Sequence, residues 1–124
     1  MNDWRDDIFQ VLQDHDIKQV YHVPDAGHSK LIEACQTSNS IRTVALTTEE
    51  EGIPLAAGAW LGGQRSVLLM QSSGVGNTIN LLGLTKTLRV NDAGLTHGLM
   101  RLHHEERPPT DEWVNQALIV ERRV

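Results

Sequence analysis

The chain has 124 residues and a net charge of −5, from 16 acidic against 11 basic side chains, with no basic run. That length allows one ordinary domain with a core only just large enough, and the charge argues against a nucleic-acid or anionic-membrane surface. No apolar run approaches the roughly 20 residues of a membrane span, MNDWRDDIF has no signal-peptide core, and the single Cys35 excludes an internal disulfide, so a cytoplasmic protein is expected.

From residue 3 to 14, Trp4, Ile8, Val11 and Leu12 recur at helical spacing, and Asp3, Asp6 and Asp7 complement the dipole at the helix start. Residues 17–23, IKQVYHV, read as a first strand, ended by Pro24, which cannot continue a central ladder. Asp25-Ala26-Gly27-His28 is a turn, and Ser29 is a candidate cap for a helix with Leu31, Ile32 and Cys35 on its inner face. After the polar loop Thr37–Ser40, a second strand runs from Ile41 to Leu46. Thr47 or Thr48 then caps a helix opened by Glu49, Glu50 and Glu51 and continued by Ala56, Ala57, Gly58 and Ala59. Ser66 to Gln71 is a third strand, a short continuous apolar run. The glycine turn Ser72-Ser73-Gly74-Val75-Gly76-Asn77 leads into a helix over 77–88. This β-α-β-α-β-α alternation predicts an α/β fold, a three-layer doubly wound parallel sheet whose ligands collect at the carboxyl ends of the strands.

Past Val90 the pattern changes. A sheet that has just delivered a helix should deliver another apolar strand, and none comes before Ala117 to Val120. The chain therefore divides at 1–89 and 90–124, with the sheet incomplete at its C-terminal end. A helix over 110–121, capped by Thr110 and with Trp113, Ala117 and Val120 on one side, is the best local reading of the tail. A slip in the reading frame near Val90 would produce such a break.

Three consecutive glutamates exceed what capping a helix requires, yet any one of them could simply serve the dipole. If one points into a cleft walled by small residues, it is a candidate proton relay. Gly74 and Gly76 could be needed only for positive φ, or the turn could offer unpaired N–H groups to a ligand. No Gly-Lys-Ser/Thr follows, and Ile79 stands where a dinucleotide pattern would need glycine or alanine. Among the histidines, His28 at a strand's carboxyl end is the best placed for function. His97, His103 and His104 form no zinc pattern, so no metal site is expected, and Cys35 reads as core.

Three segments, VPDAGHSKLIEA, TTEEEGIPLAAGAWLGG and VLLMQSSGVGNTINLL, together resemble the pyrimidine-binding (PYR) domain of thiamine-diphosphate enzymes over about residues 4–89. The resemblance is nearest to the sulfopyruvate and phosphonopyruvate decarboxylase group. It implies that Glu49 is the cofactor-activating glutamate, with Glu50 as the fallback. Such a glutamate hydrogen-bonds N1′ of the aminopyrimidine and favours the tautomer whose 4′-nitrogen takes the thiazolium C2 proton. The resemblance further implies that Gln71, Gly74, Gly76 and Asn77 bind the cofactor and that Pro24, Asp25 and His28 line the reacting carbon. The family holds the diphosphate and its magnesium through a Gly-Asp-Gly segment of a second (PP) domain, and this chain has none. A separate PP-domain (β) partner chain is therefore implied, with self-association and a small anionic 2-oxo acid as substrate. Two other readings stay open: a catalytically inactive truncated paralogue, and a small α/β ligand-binding or association module.

Overall fold

The computed structural model describes residues 3–87, 101–105 and 114–120. Its helices are α1 (Trp4–Asp14), α2 (Ser29–Thr37), α3 (Gly52–Leu61) and α4 (Ile79–Thr87). The strands are β1 (Ile17–His22), β2 (Arg42–Ala45), β3 (Arg65–Gln71), β4 (Arg101–Glu105) and β5 (Val114–Val120). Short 3-10 turns occupy Ala26–His28, Glu49–Glu51 and Ser72–Thr78.

Local chemistry sets the boundaries. Asp3 takes an extended conformation before α1 and its carboxylate accepts from the Arg5 backbone N–H at 3.0 Å, satisfying one free donor of the first turn. Asp16, at φ 56°, turns the chain from α1 into β1, an excursion that short polar side chains tolerate. Gly63, at φ 79°, does the same after α3, and its N–H returns to the Trp60 carbonyl at 2.9 Å.

The sheet order is β2-β1-β3-β5-β4. β1 lies parallel to both β2 and β3, with Val20 opposite Val67 and Tyr21 opposite Leu68. Successive side chains alternate faces, and the two faces carry separate cores. Val20, Val67 and Leu69 pack with Leu12 of α1 and with Leu31 and Cys35 of α2. Tyr21, Leu68 and Met70 pack with Ile53 and Ala56 of α3, and Leu81 of α4 leans on the same cluster. Helices thus cover both faces, as the three-layer doubly wound reading expects. Because β2 and β3 flank β1, the winding direction reverses between β1 and β3, which opens a crevice at their carboxyl ends. Gly52 seats α3 closely on the sheet: a Cβ there would lie 2.7 Å from Cδ1 of Leu68.

Several boundaries differ from expectation. The sheet is parallel only across β2, β1 and β3. β5 runs antiparallel to β3, from Val67 opposite Val120 to Gln71 opposite Gln116, and β4 runs antiparallel to β5. Residues 114–120 are therefore a strand, where a helix over 110–121 was the sequence reading. The reason is tertiary: β3 has a row of backbone groups on its far edge, and VNQALIV, with β-branched residues at both ends, supplies their partners. The edge left open by the sequence reading is filled by these two strands. Ser29 lies inside α2, and the capping position falls on His28 without a side-chain bond. The last helix begins at Ile79 instead of 77, because the preceding turn is closed by the Thr78 hydroxyl donating to the Val75 carbonyl at 2.7 Å. Thr110 and the surroundings of Val90 lie outside the described residues. Among the described residues no helix is long and apolar enough to cross a membrane.

Candidate functional site

The three glutamates that look alike in sequence take three different positions. Glu51 reaches back to Thr47, accepting from its backbone N–H at 3.0 Å and from its hydroxyl at 2.7 Å. These bonds hold the Glu51 carboxyl below its ordinary value, and the residue closes the turn rather than serving a ligand. Thr47 is thus a partner of Glu51, while Thr48 holds the capping position with no side-chain bond. Glu50 is exposed. Glu49 is half-buried and points at the glycine turn after β3.

There its carboxylate is gripped from two directions. Nδ2 of Asn77 donates to Oε2 at 2.9 Å. The other oxygen lies against the space where Gly74 has only a hydrogen, so that a Cβ at 74 would collide with Cγ, Cδ and Oε1 of Glu49. Gly74 is therefore glycine to admit a carboxylate. Neither it nor Gly76 takes positive φ, which removes the conformational explanation offered by the sequence for both. Gly76 is exposed, with open space around the position of a Cβ.

A second group forms at the crevice between β1 and β3. Gln71, the last residue of β3, donates from Nε2 to Oδ1 of Asp25 at 2.8 Å. Nδ1 of His28 lies 3.3 Å from Oδ2 of the same Asp25. Burial pushes the His28 ring below its ordinary value and Asp25 opposes that shift. Glu49, Gly74 and Asn77 thus make one cluster, and Gln71, Asp25 and His28 another. Both sit at the carboxyl ends of parallel strands, joined by the 72–78 turn. Pro24 and Gly76 are exposed at the same rim and enter neither cluster. Arg5 escapes a reading of the sequence alone. Its Nε donates to the Gly27 carbonyl at 3.3 Å and ties the turn to α1, and only its isolated basic charge in an acidic helix start hints at a partner.

The family model for the thiamine pyrophosphate enzyme N-terminal TPP-binding domain matches residues 2–104. The chain belongs to that family. Its similarity extends to proteins described as sulfopyruvate decarboxylase subunit alpha. The one from Methanocaldococcus jannaschii is 36% identical over 116 residues, covering 91% of this chain and 69% of the relative. Those from Methanococcus maripaludis and Methanothermobacter thermautotrophicus are 36% and 35% identical over 84 and 75 residues, covering 67% and 60% of this chain. The chain spans 50% and 46% of the length of these two relatives.

The donor set at the glycine turn is chemically compatible with an aminopyrimidine ring. A half-buried carboxylate set over a glycine and fixed by an amide can meet a ring nitrogen of an aminopyrimidine, and the bare Gly76 lets such a ring approach the backbone. Among the described residues no group of metal-ligating side chains occurs.

Proposed function

We propose that the chain is the PYR-type subunit of a thiamine-diphosphate-dependent 2-oxo acid decarboxylase, acting on a sulfopyruvate- or phosphonopyruvate-like anion. The observation that carries this reading is the Glu49 carboxylate aligned by Asn77 over Gly74, in a chain similar to proteins described as sulfopyruvate decarboxylase subunit alpha. When bound, the cofactor would supply a thiazolium that serves as nucleophile and electron sink for loss of CO2 from a 2-oxo acid. In this reading Glu49 holds a proton against the pyrimidine N1′, and Gln71, Gly74, Gly76 and Asn77 form the wall beside that ring. Pro24, Asp25 and His28 border the substrate. Residues 1–89 form the cofactor-binding portion and 90–124 a divergent tail. The diphosphate and magnesium belong to a separate PP-domain subunit, and the working form is a cytoplasmic oligomer.

The test is reconstitution. The chain is combined with a candidate partner carrying Gly-Asp-Gly and a downstream asparagine, then with thiamine diphosphate and magnesium, and CO2 release from sulfopyruvate and phosphonopyruvate is followed. Turnover that needs both chains and the cofactor supports the proposal. Association without turnover would identify a catalytically inactive paralogue. Ligand binding with neither partner nor thiamine would point to an independent α/β module.

A further inference from the structure

The turn after β1 holds a buried polar cluster whose internal order the family likeness does not explain. His28 is 3% exposed, and its Nδ1 lies 3.3 Å from Oδ2 of Asp25. Both atoms are shut off from solvent, and neither makes an aligned hydrogen bond. The other oxygen of Asp25 is taken by Gln71. One carboxylate is therefore gripped by β3 across the crevice and faced by a ring from its own turn.

The backbone that carries the pair is fastened from behind. Besides the bond from Arg5 to the Gly27 carbonyl, Nζ of Lys30 pairs with Asp3 at 3.1 Å and with Asp6 at 2.9 Å, both at the start of α1. The turn and the start of α2 are thus tied to the start of α1 on both sides of His28.

Two lone pairs facing each other across 3.3 Å in a buried setting repel, whereas a proton on Nδ1 satisfies both atoms after a small rotation. Once Nδ1 carries the proton, Nε2 is the acceptor of the ring. We infer that Gln71, Asp25 and His28 form one positioning chain across the β1–β3 crevice, which locks His28 in the tautomer protonated at Nδ1 and leaves Nε2 as the acceptor of the ring. Gln71 and Asp25 act through His28 and are positioning residues. The use of Nε2 in turnover rests on the decarboxylase reading, and the tautomer does not.

Two-bond proton–nitrogen NMR of the full chain labelled with 15N-histidine decides the matter, at a pH where the ring is neutral, with His28 assigned by its loss in His28→Gln. The expected wild-type pattern is a protonated-type Nδ1 and an unprotonated-type Nε2. In Asp25→Asn the amide can turn its own N–H toward Nδ1, and the pattern should invert. In Gln71→Leu the carboxylate loses its grip, and the two nitrogens should average. A His28 protonated at Nε2 in the wild type overturns the inference, as do variants that fold and leave the spectrum unchanged. If Asp25→Asn fails to fold, the wild-type spectrum and Gln71→Leu still decide. None of these readouts needs a partner or cofactor. The expected tautomer in a chain that never supports turnover would sink the decarboxylase reading alone. An active enzyme protonated at Nε2 would sink the positioning chain alone.

Discussion

The side-chain amide of Asn77 donates to Oε2 of Glu49 at 2.9 Å, bridging 28 positions of sequence and closing the turn after β3 onto the turn after β2. One oxygen is bonded and the other lies beside Gly74, which narrows the orientations open to the carboxylate. A carboxylate fixed before the ligand arrives loses less freedom on binding, which is the physical basis of preorganisation.

Glu49→Gln should keep this geometry, because the new amide oxygen can still accept from Asn77. Folding should be preserved while the reconstituted complex loses about 10²- to 10⁴-fold in activity, the scale of an acid–base group. Thermal unfolding and CO2 release measured on the same preparation check it. Equal activity would move the role to the exposed Glu50 or off this turn.

Gly74→Ala and Gly76→Ala should part company. At 74 the added methyl takes the place of the Glu49 side chain, whose flexible end can swing away, so the chain should fold and the carboxylate should be misplaced. A misplacement on the scale of 1 Å costs about 10²-fold in turnover. At 76 nothing stands within 4 Å of the new methyl, and φ is ordinary, so the free chain should be unchanged in stability. Any loss of cofactor affinity in Gly76→Ala would then report the approach of the ring itself. Unfolding of Gly76→Ala would show that the turn needs glycine for its own sake.

Much of this arrangement is legible in the sequence. The periods of Trp4–Leu12 and Val67–Met70 mark a helix and a buried strand because alternation and helical spacing are local consequences of backbone geometry. The crevice follows from the β-α-β order, which brings Asp25 and Gln71 to one rim. What escapes the sequence depends on contacts between distant residues. Glu49, Glu50 and Glu51 have one chemistry, and only the positions of Thr47 and Asn77 tell them apart. Glycine at 74 looks conformational until the neighbour that needs the space is known. VNQALIV could wind or extend, and the empty edge of β3 decides.

Stability should fall with pH in two separate windows. Burial lowers the pKa of both His22 and His28 below the ordinary value. The unfolded chain therefore binds protons that the fold refuses, and stability is lost as the pH drops below about 6.5. The second window is set by Asp3 and Glu51, whose values are lowered by hydrogen bonds from Arg5 and Thr47. Their contribution is present above the ordinary carboxylate range and lost as the pH falls through their folded values. Denaturant melts between pH 8 and pH 3 check both, and His22→Gln with His28→Gln should flatten the upper window. A flat profile from pH 7 to 5.5 in the wild type would refute it.

Cys35 should behave as core. It is fully buried between α2 and the sheet, and burial pushes its thiol up to about 11. In the native chain, labelling by a thiol reagent at pH 8 should be limited by opening of the fold, so its rate should rise with denaturant. Cys35→Ala should cost about 1 kcal/mol, the scale of one buried heavy atom. Immediate labelling without denaturant would place the thiol elsewhere.

Hydrogen exchange tests the antiparallel half of the sheet. Alternate amides of β5 pair with β3, so they should exchange slowly alongside those of Val67 to Met70. Free exchange throughout 114–120, with β3 protected only toward β1, would leave that edge open and return the tail to the divergent status suggested by its sequence.

The reversal of direction at β5 also interrupts the row of carboxyl ends at the rim. β2, β1 and β3 present adjacent carboxyl ends at the rim, β5 then brings its start there, with Gln116 beside Gln71, and the carboxyl end of β4 lies beyond it. Strands stand about 4.8 Å apart, so three ends span about 10 Å. A single flat ring rests within that width, and a molecule of two rings with a charged tail overhangs it. Beyond that width a ligand would meet the start of β5 in place of a further carboxyl end.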